Sequence, residues 1–201
     1  MRRGLLAPLA ALLLVLAACG GGSTDSSAYK EISLPAPDVV KIKKQSDVPD
    51  CPHVSTSSVS GGMPSITLGC LGGGRSVDMA GLRGPMIVNL FASWCSGCHE
   101  EMPHLAAYAR SQSRVRVLGV DFLDTQPGAA LQLAQRSDVA YPLVADPKGE
   151  LDRASPLPKI QGLPWTVFVS ADGSIAHIEA GTFTSEHEVA EAAQQYLGTG
   201  G

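Results

Sequence analysis

The chain has 201 residues, enough for one domain with a real core plus appendages. A net charge of −4, with no Lys/Arg cluster to reverse it, argues against nucleic acid as a partner. The hydrophobic share of 44% is inflated by the N-terminus.

Residues 1–18 carry Arg2-Arg3, an apolar run over 5–16 and then small residues, the layout of a secretory signal peptide. The run is shorter than the roughly 20 residues that a membrane span needs. Leu16-Ala17-Ala18-Cys19 resembles a bacterial lipobox, in which Cys19 takes a diacylglycerol and becomes the first mature residue. Ordinary secretory cleavage beside a chance cysteine is the plainer alternative. Removing Arg2 and Arg3 takes the net charge from −4 to −6. A diacyl anchor supplies two chains, enough for stable attachment to a lipid bilayer. Either way the compartment is extracytoplasmic and permits disulfides.

Residues 19–50 read as a tether. Gly, Ser and Thr fill its first part, and Pro, Lys and Asp without helical or strand period its second. Lys41, Lys43 and Lys44, diluted by Asp38, Asp47 and Asp50, read as solvated. About 30 unstructured residues reach roughly 30 Å, enough to lift a domain off the bilayer. The domain is expected over residues 51–201. Its first pieces are a short strand at 65–68, a Gly72-Gly73-Gly74 turn and an extended stretch at 76–78, together a β-hairpin extension. Of five cysteines, Cys51 and Cys70 are left over once Cys19 and the Cys95/Cys98 pair are assigned. An oxidising compartment favours their pairing, worth about 3 kcal/mol by loop closure. That disulfide reads as structural, since neither cysteine has a helix start or a cation nearby in sequence.

Residues 86–91, Met-Ile-Val-Asn-Leu-Phe, have the length and branching of a buried strand. Trp94-Cys95-Ser96-Gly97-Cys98 follows at once, and then an Ala-rich helical run reaches Arg110. A strand therefore delivers two cysteines to the first turn of a helix, where unpaired amides and the positive dipole end favour a thiolate. Cys95 is expected at the cap facing solvent, as attacking nucleophile. Cys98, one turn in and half covered, is its resolving partner. The chain continues with a strand at 115–121, a helix over 128–136, a brief strand at 142–144 and a hairpin turning at Ala171-Asp172-Gly173-Ser174. Ser185-Glu186-His187-Glu188 opens a last helix, which Gly198 stops. The order βαβ then ββα, around a mixed central sheet, is an α/β thioredoxin-like three-layer sandwich.

Trp94-Cys95-x-x-Cys98 with Glu101 and Pro103 resembles the motif of the TlpA/ResA-like extracytoplasmic thiol-disulfide oxidoreductases. Leu82-Arg83-Gly84-Pro85 and Val88-Asn89-Leu90-Phe91-Ala92-Ser93 are similar to that family too. The resemblance implies dithiol exchange with protein disulfides and no diffusible cofactor. It also implies a membrane electron-transfer partner and, for reductants of this family, apocytochrome c as substrate. A disulfide-forming oxidase is the alternative direction. Glu101 lies three residues beyond Cys98, so a helix puts both on one face, where a carboxyl can exchange a proton with Cys98. In thioredoxin the buried acid stands on the central strand, where this sequence has Asn89; the resemblance moves that role to Glu101. It also places a cis bond at Leu163-Pro164, packed across from the cysteines, with Leu163 offering its backbone to a substrate strand. Trp165 departs from the Thr more common in the family. Trp94 reads as a shield over the disulfide.

Two rivals come from the same residues. Cys95-Ser96-Gly97-Cys98-His99 is also the C-x-x-C-H pattern of covalent haem attachment, but a buried strand leads into it and the rest of the chain is βαβ-ββα. Cys95 and Cys98 with His99 or His177 can also be read as a copper-handling set; the two-residue spacing and Pro164 fit dithiol exchange better, with no metal. His104 reads as a solvated or packed helix residue, and His53, His177 and His187 show no partner pattern.

Overall fold

The computed structural model describes residues 32–55, 57–111 and 114–198. The signal segment and Cys19 therefore lie outside the described residues. Seven strands form one sheet in the order β2-β1-β5-β4-β3-β6-β7. They are β1 (Thr67–Cys70), β2 (Val77–Asp78), β3 (Met86–Phe91), β4 (Arg116–Phe122), β5 (Leu143–Asp146), β6 (Trp165–Val169) and β7 (Ile175–Ala180).

β3 is buried along its whole length, polar Asn89 included, as a central strand covered on both faces is. It pairs in parallel with β4 and antiparallel with β6, so the sheet is mixed. The crossover from β3 to β4 is α2 (Ser96–Ser111), and that from β4 to β5 is α3 (Pro127–Arg136). β6 and β7 form the C-terminal hairpin, and α4 (Glu186–Leu197) closes the chain. Ser185 caps α4 by accepting the Glu188 amide, and Gly198 ends it in the left-handed conformation at φ 64°. The β1/β2 hairpin joins the sheet through β5.

Side chains alternate across β3, so Ile87 and Phe91 enter one core layer and Val88 and Leu90 the other. The first layer takes the inward faces of all the helices, including Met102 and Leu105 of α2, Leu131 of α3 and Val189 of α4. The second is covered by Met63, the short 3-10 turns Met79–Gly81 and Leu151–Arg153, and Leu157. Among the described residues no helix is long and apolar enough to cross a membrane.

The N-terminal boundary differs from the sequence reading. Pro37–Lys44, placed in the tether, forms helix α1, with Pro at its start, Asp38 in its first turn and lysines in its last. Val39 and Lys43 are buried at i and i+4, and Gln135 of α3 donates to the Gln45 carbonyl at 3.0 Å. Eight residues, three of them Lys and one Pro, are too few to show a helical period, and the burial that stabilises them comes from α3. Lys43, read as solvated, is therefore enclosed.

Candidate active site

The C-terminal end of β3 turns through Ala92-Ser93-Trp94 into α2. Two contacts fix this turn: the Cys95 amide donates to the Ala92 carbonyl at 3.2 Å, and the Ser93 amide donates to the Asp124 carboxylate at 2.7 Å. His99 Nε2 lies 2.7 Å from the Ser93 carbonyl oxygen. Cys95 thus stands immediately before the first helical residue, and Cys98 one turn in. They form a disulfide with an S–S distance of 2.10 Å. The Cys98 amide points at Cys95 Sγ from 3.1 Å, so an unpaired helix-start N–H is already aimed where a Cys95 thiolate would carry its charge.

Both cysteines are more covered than the sequence suggests. Cys95 keeps 6% of its surface and Cys98 none. The cause is Gly97, against which two loops close. A Cβ there would lie 2.7 Å from Thr182 Oγ1 and 3.2 Å from Pro164 Cδ, so a larger residue would push these two back. The Leu163–Pro164 peptide is cis, and the Pro164 carbonyl accepts the Gly181 amide at 3.2 Å. Leu163 is half-buried just before it. Trp94 stands out into solvent at 59% exposure, its Nε1 donating to the Leu123 carbonyl at 3.4 Å. With exposed Leu123 it presents an apolar surface to solvent beside the Cys95 turn.

Glu101 is fully buried behind Cys98 on the same face of α2. Its Oε2 accepts from Asn89 Nδ2 at 2.7 Å and its Oε1 from the Phe183 amide at 3.2 Å. Burial raises its pKa to about 7, and these two donors hold it from going higher. Asn89 also donates to Thr166 Oγ1 at 3.2 Å, which ties the carboxyl to β3 and β6. The Tyr141 hydroxyl is buried nearby; burial first, and the Glu101 charge second, push its pKa up. The 181–183 loop and Tyr141 were not visible as site elements in the sequence, because nothing in their local pattern points across the fold to α2.

Cys51 and Cys70 are joined at an S–S distance of 2.02 Å, in the other core layer from Cys95 and Cys98. His177 has a partner after all: its ring stacks on Tyr196 at 3.8 Å. Among the described residues no group of three or more His, Cys, Asp or Glu is placed to hold a metal.

Residues 59–178 match the AhpC/TSA family. The chain belongs to that family. Among curated relatives it is 33% identical over 102 residues to the thiol:disulfide interchange protein DsbE of Allochromatium vinosum, covering 50% of this chain and 53% of that protein. It is 30% identical over 112 residues to the thiol-disulfide oxidoreductase ResA of Oceanobacillus iheyensis, covering 54% and 56%. The chain thus spans about half the length of these relatives. In fold it is similar to a secreted Mycobacterium tuberculosis disulfide oxidoreductase homologous to E. coli DsbE. The TM-score is 0.56 at 22% identity, over 65% of this chain and 96% of that one. The TlpA/ResA-like resemblance and the thioredoxin-like α/β fold both hold.

Proposed function

We propose that the chain is an extracytoplasmic protein thiol-disulfide oxidoreductase, tethered to the membrane through Cys19, that works as a reductant in cytochrome c maturation. The observation that carries the chemistry is the buried Glu101 carboxyl, one helical turn beyond Cys98 and with a pKa of about 7. A carboxyl of that pKa is part ionised near neutral pH and can both take and return a proton.

In the reducing direction the Cys95 thiolate, facing the Cys98 amide, attacks one sulfur of a substrate disulfide, and the other sulfur leaves as a thiolate. Cys98 then loses its proton to Glu101 and attacks Cys95 Sγ. The Cys95–Cys98 bond forms, the mixed disulfide breaks and the second substrate thiolate departs. Two electrons pass to the substrate, and a membrane partner restores the dithiol. Trp94 offers an exposed face to the substrate, while the Leu163 backbone and Pro164 border the cysteines. Cys51–Cys70 staples the start of the domain to β1.

The names of the relatives support thiol-disulfide exchange; the cytochrome c role follows the family resemblance. Deleting the gene tests it. Loss of covalent holo-cytochrome c, restored by an added small-molecule thiol, is the expected result. Normal cytochrome c together with exported proteins accumulating as free thiols would instead assign the oxidase direction.

A further inference from the structure

The Cys51–Cys70 disulfide has chemistry around it that a passive staple does not need. Lys43 of α1 is buried, with its Nζ 3.5 Å from Cys70 Sγ. The ammonium also donates to the Gly73 carbonyl at 3.0 Å and to Asp50 Oδ1 at 2.9 Å. The 72–74 loop is built around this lysine. Gly72, at φ 76°, has the Lys43 stem where a Cβ would go, 2.7 Å from Lys43 Cβ and Cδ. Asp50 is the charged group that opposes Lys43, and its side chain is 89% exposed, so its charge is largely screened by water. On the other sulfur, Cys51 Sγ lies 3.2 Å from the Leu143 carbonyl oxygen. Reduction would therefore find a cation beside one product and a hydrogen-bond acceptor beside the other.

We propose that Cys51–Cys70 is a second thiol-exchange site, opened by a low-molecular-weight thiol that attacks Cys51 while Cys70 leaves as a thiolate against Lys43. The order follows exposure, 6% for Cys51 against 2% for Cys70, and leaving-group chemistry, since the stabilised thiolate departs faster. The steps balance. The first external thiolate forms a mixed disulfide with Cys51 and breaks the Cys51–Cys70 bond. A second external thiolate attacks the external sulfur of that mixed disulfide and releases Cys51. Two thiols are oxidised to one disulfide, two electrons enter the protein, and Cys51 takes a proton and donates to Leu143. Among the described residues the exposed large apolar side chains, Trp94 and Leu123, stand beside the Cys95 turn and not here, so Cys51 suits a small thiol better than a protein. Because the two disulfides lie in different core layers, this site works without Cys95 and Cys98 and stands apart from the function proposed for them. Opening it frees the segment that joins α1 to β1.

The test uses the full chain with Cys95→Ser and Cys98→Ser, equilibrated in reduced and oxidised glutathione, quenched by alkylation and mapped by mass. Cys51–Cys70 is expected to open in the folded chain. Lys43→Met should lower the equilibrium constant for reduction at least about tenfold, the value of one pKa unit on Cys70. Asp50→Asn, at an exposed position, should move it the other way. A merely structural Lys43 has the opposite sign, because loosening α1 would make the disulfide easier to reduce. A Lys43→Met equilibrium that is unchanged or easier to reduce would overturn the proposal, as would a folded chain in which glutathione never opens the bond. Should Lys43→Met fail to fold, a chain keeping Cys70 as its one cysteine decides the matter by its alkylation rate against pH. A Cys70 pKa clearly below the ordinary value of about 8.5 supports the proposal, and one at or above it refutes it.

Discussion

Asn89 of β3 donates a 2.7 Å hydrogen bond to Glu101 of α2, joining the central strand to the helix that carries both cysteines. The strand position that holds the acid in thioredoxin here holds an amide, and the acid stands on the facing helix. The carboxyl reaches the same buried space from the other side. Its proton affinity is set by that burial and by donors from two further segments, Asn89 and the Phe183 amide.

That arrangement makes Glu101→Gln a kinetic variant. First attack by Cys95 should stay close to wild type, while resolution by Cys98 should slow by roughly 10²-fold near neutral pH. Wild-type resolution should itself fall as pH drops through about 7, where Glu101 becomes protonated. The variant should recover as pH rises toward the ordinary thiol pKa of about 8.5 and Cys98 ionises unaided. Rapid-quench measurement of the mixed disulfide's decay checks this. Equal decay rates from pH 6 to pH 9, roughly the span around that thiol pKa, would leave Glu101 without a proton-transfer role.

The same carboxyl predicts a pH dependence of stability. Its folded pKa, about 7, lies above the ordinary 4.5, so the folded oxidised chain holds a proton that the unfolded chain gives up. The associated stability is fully present below about pH 4.5 and is lost as pH rises through 7, by about 3 kcal/mol in all. Glu101→Gln removes this slope, although it also gives up one accepted hydrogen bond. Urea midpoints of both proteins across this range should converge or cross as pH rises. Parallel curves would mean that Glu101 titrates normally.

Exposure separates the two cysteines by role. Cys98→Ser should trap mixed disulfides with substrate proteins through Cys95. Cys95→Ser should trap few or none, because Cys98 has no exposed surface. Non-reducing gels of material recovered from the native compartment, followed by mass mapping, check the difference; equal trapping by both variants would undo the assignment of attacker and resolver.

Much of this was readable in the chain because the signals are local. A short, largely apolar run made β3, a Cys-x-x-Cys at a helix start made the redox pair, and Glu at the third position beyond Cys98 put a carboxyl on its face. What was not readable depends on partners distant in sequence. Glu101's environment requires Asn89 and Phe183 to converge on it, and no window of sequence contains all three. Cys95 was expected to face solvent because nothing local shows that Pro164 and Thr182 close on Gly97. α1 was missed because its eight residues take their stability from α3, and the cation beside Cys70 was missed with it.

Helix α1 gives its own prediction. Val39 is buried in the core layer that α2, α3 and α4 share. Val39→Ala should therefore destabilise the domain by about 2 kcal/mol, as deletion of two buried methyl groups does. A chemical-denaturation midpoint unchanged by this substitution would return residues 37–44 to the tether.

The central claim is that Cys95 and Cys98 form an exchangeable pair. Its most direct test is equilibration of the full chain in graded dithiothreitol redox buffers, with trapping by alkylation and mass mapping. Cys95–Cys98 should open as one two-electron couple with a midpoint between about −270 and −120 mV, the range of thioredoxin-like exchange sites. A Cys95–Cys98 bond still closed in buffers more reducing than about −300 mV, as structural disulfides are, would contradict the claim.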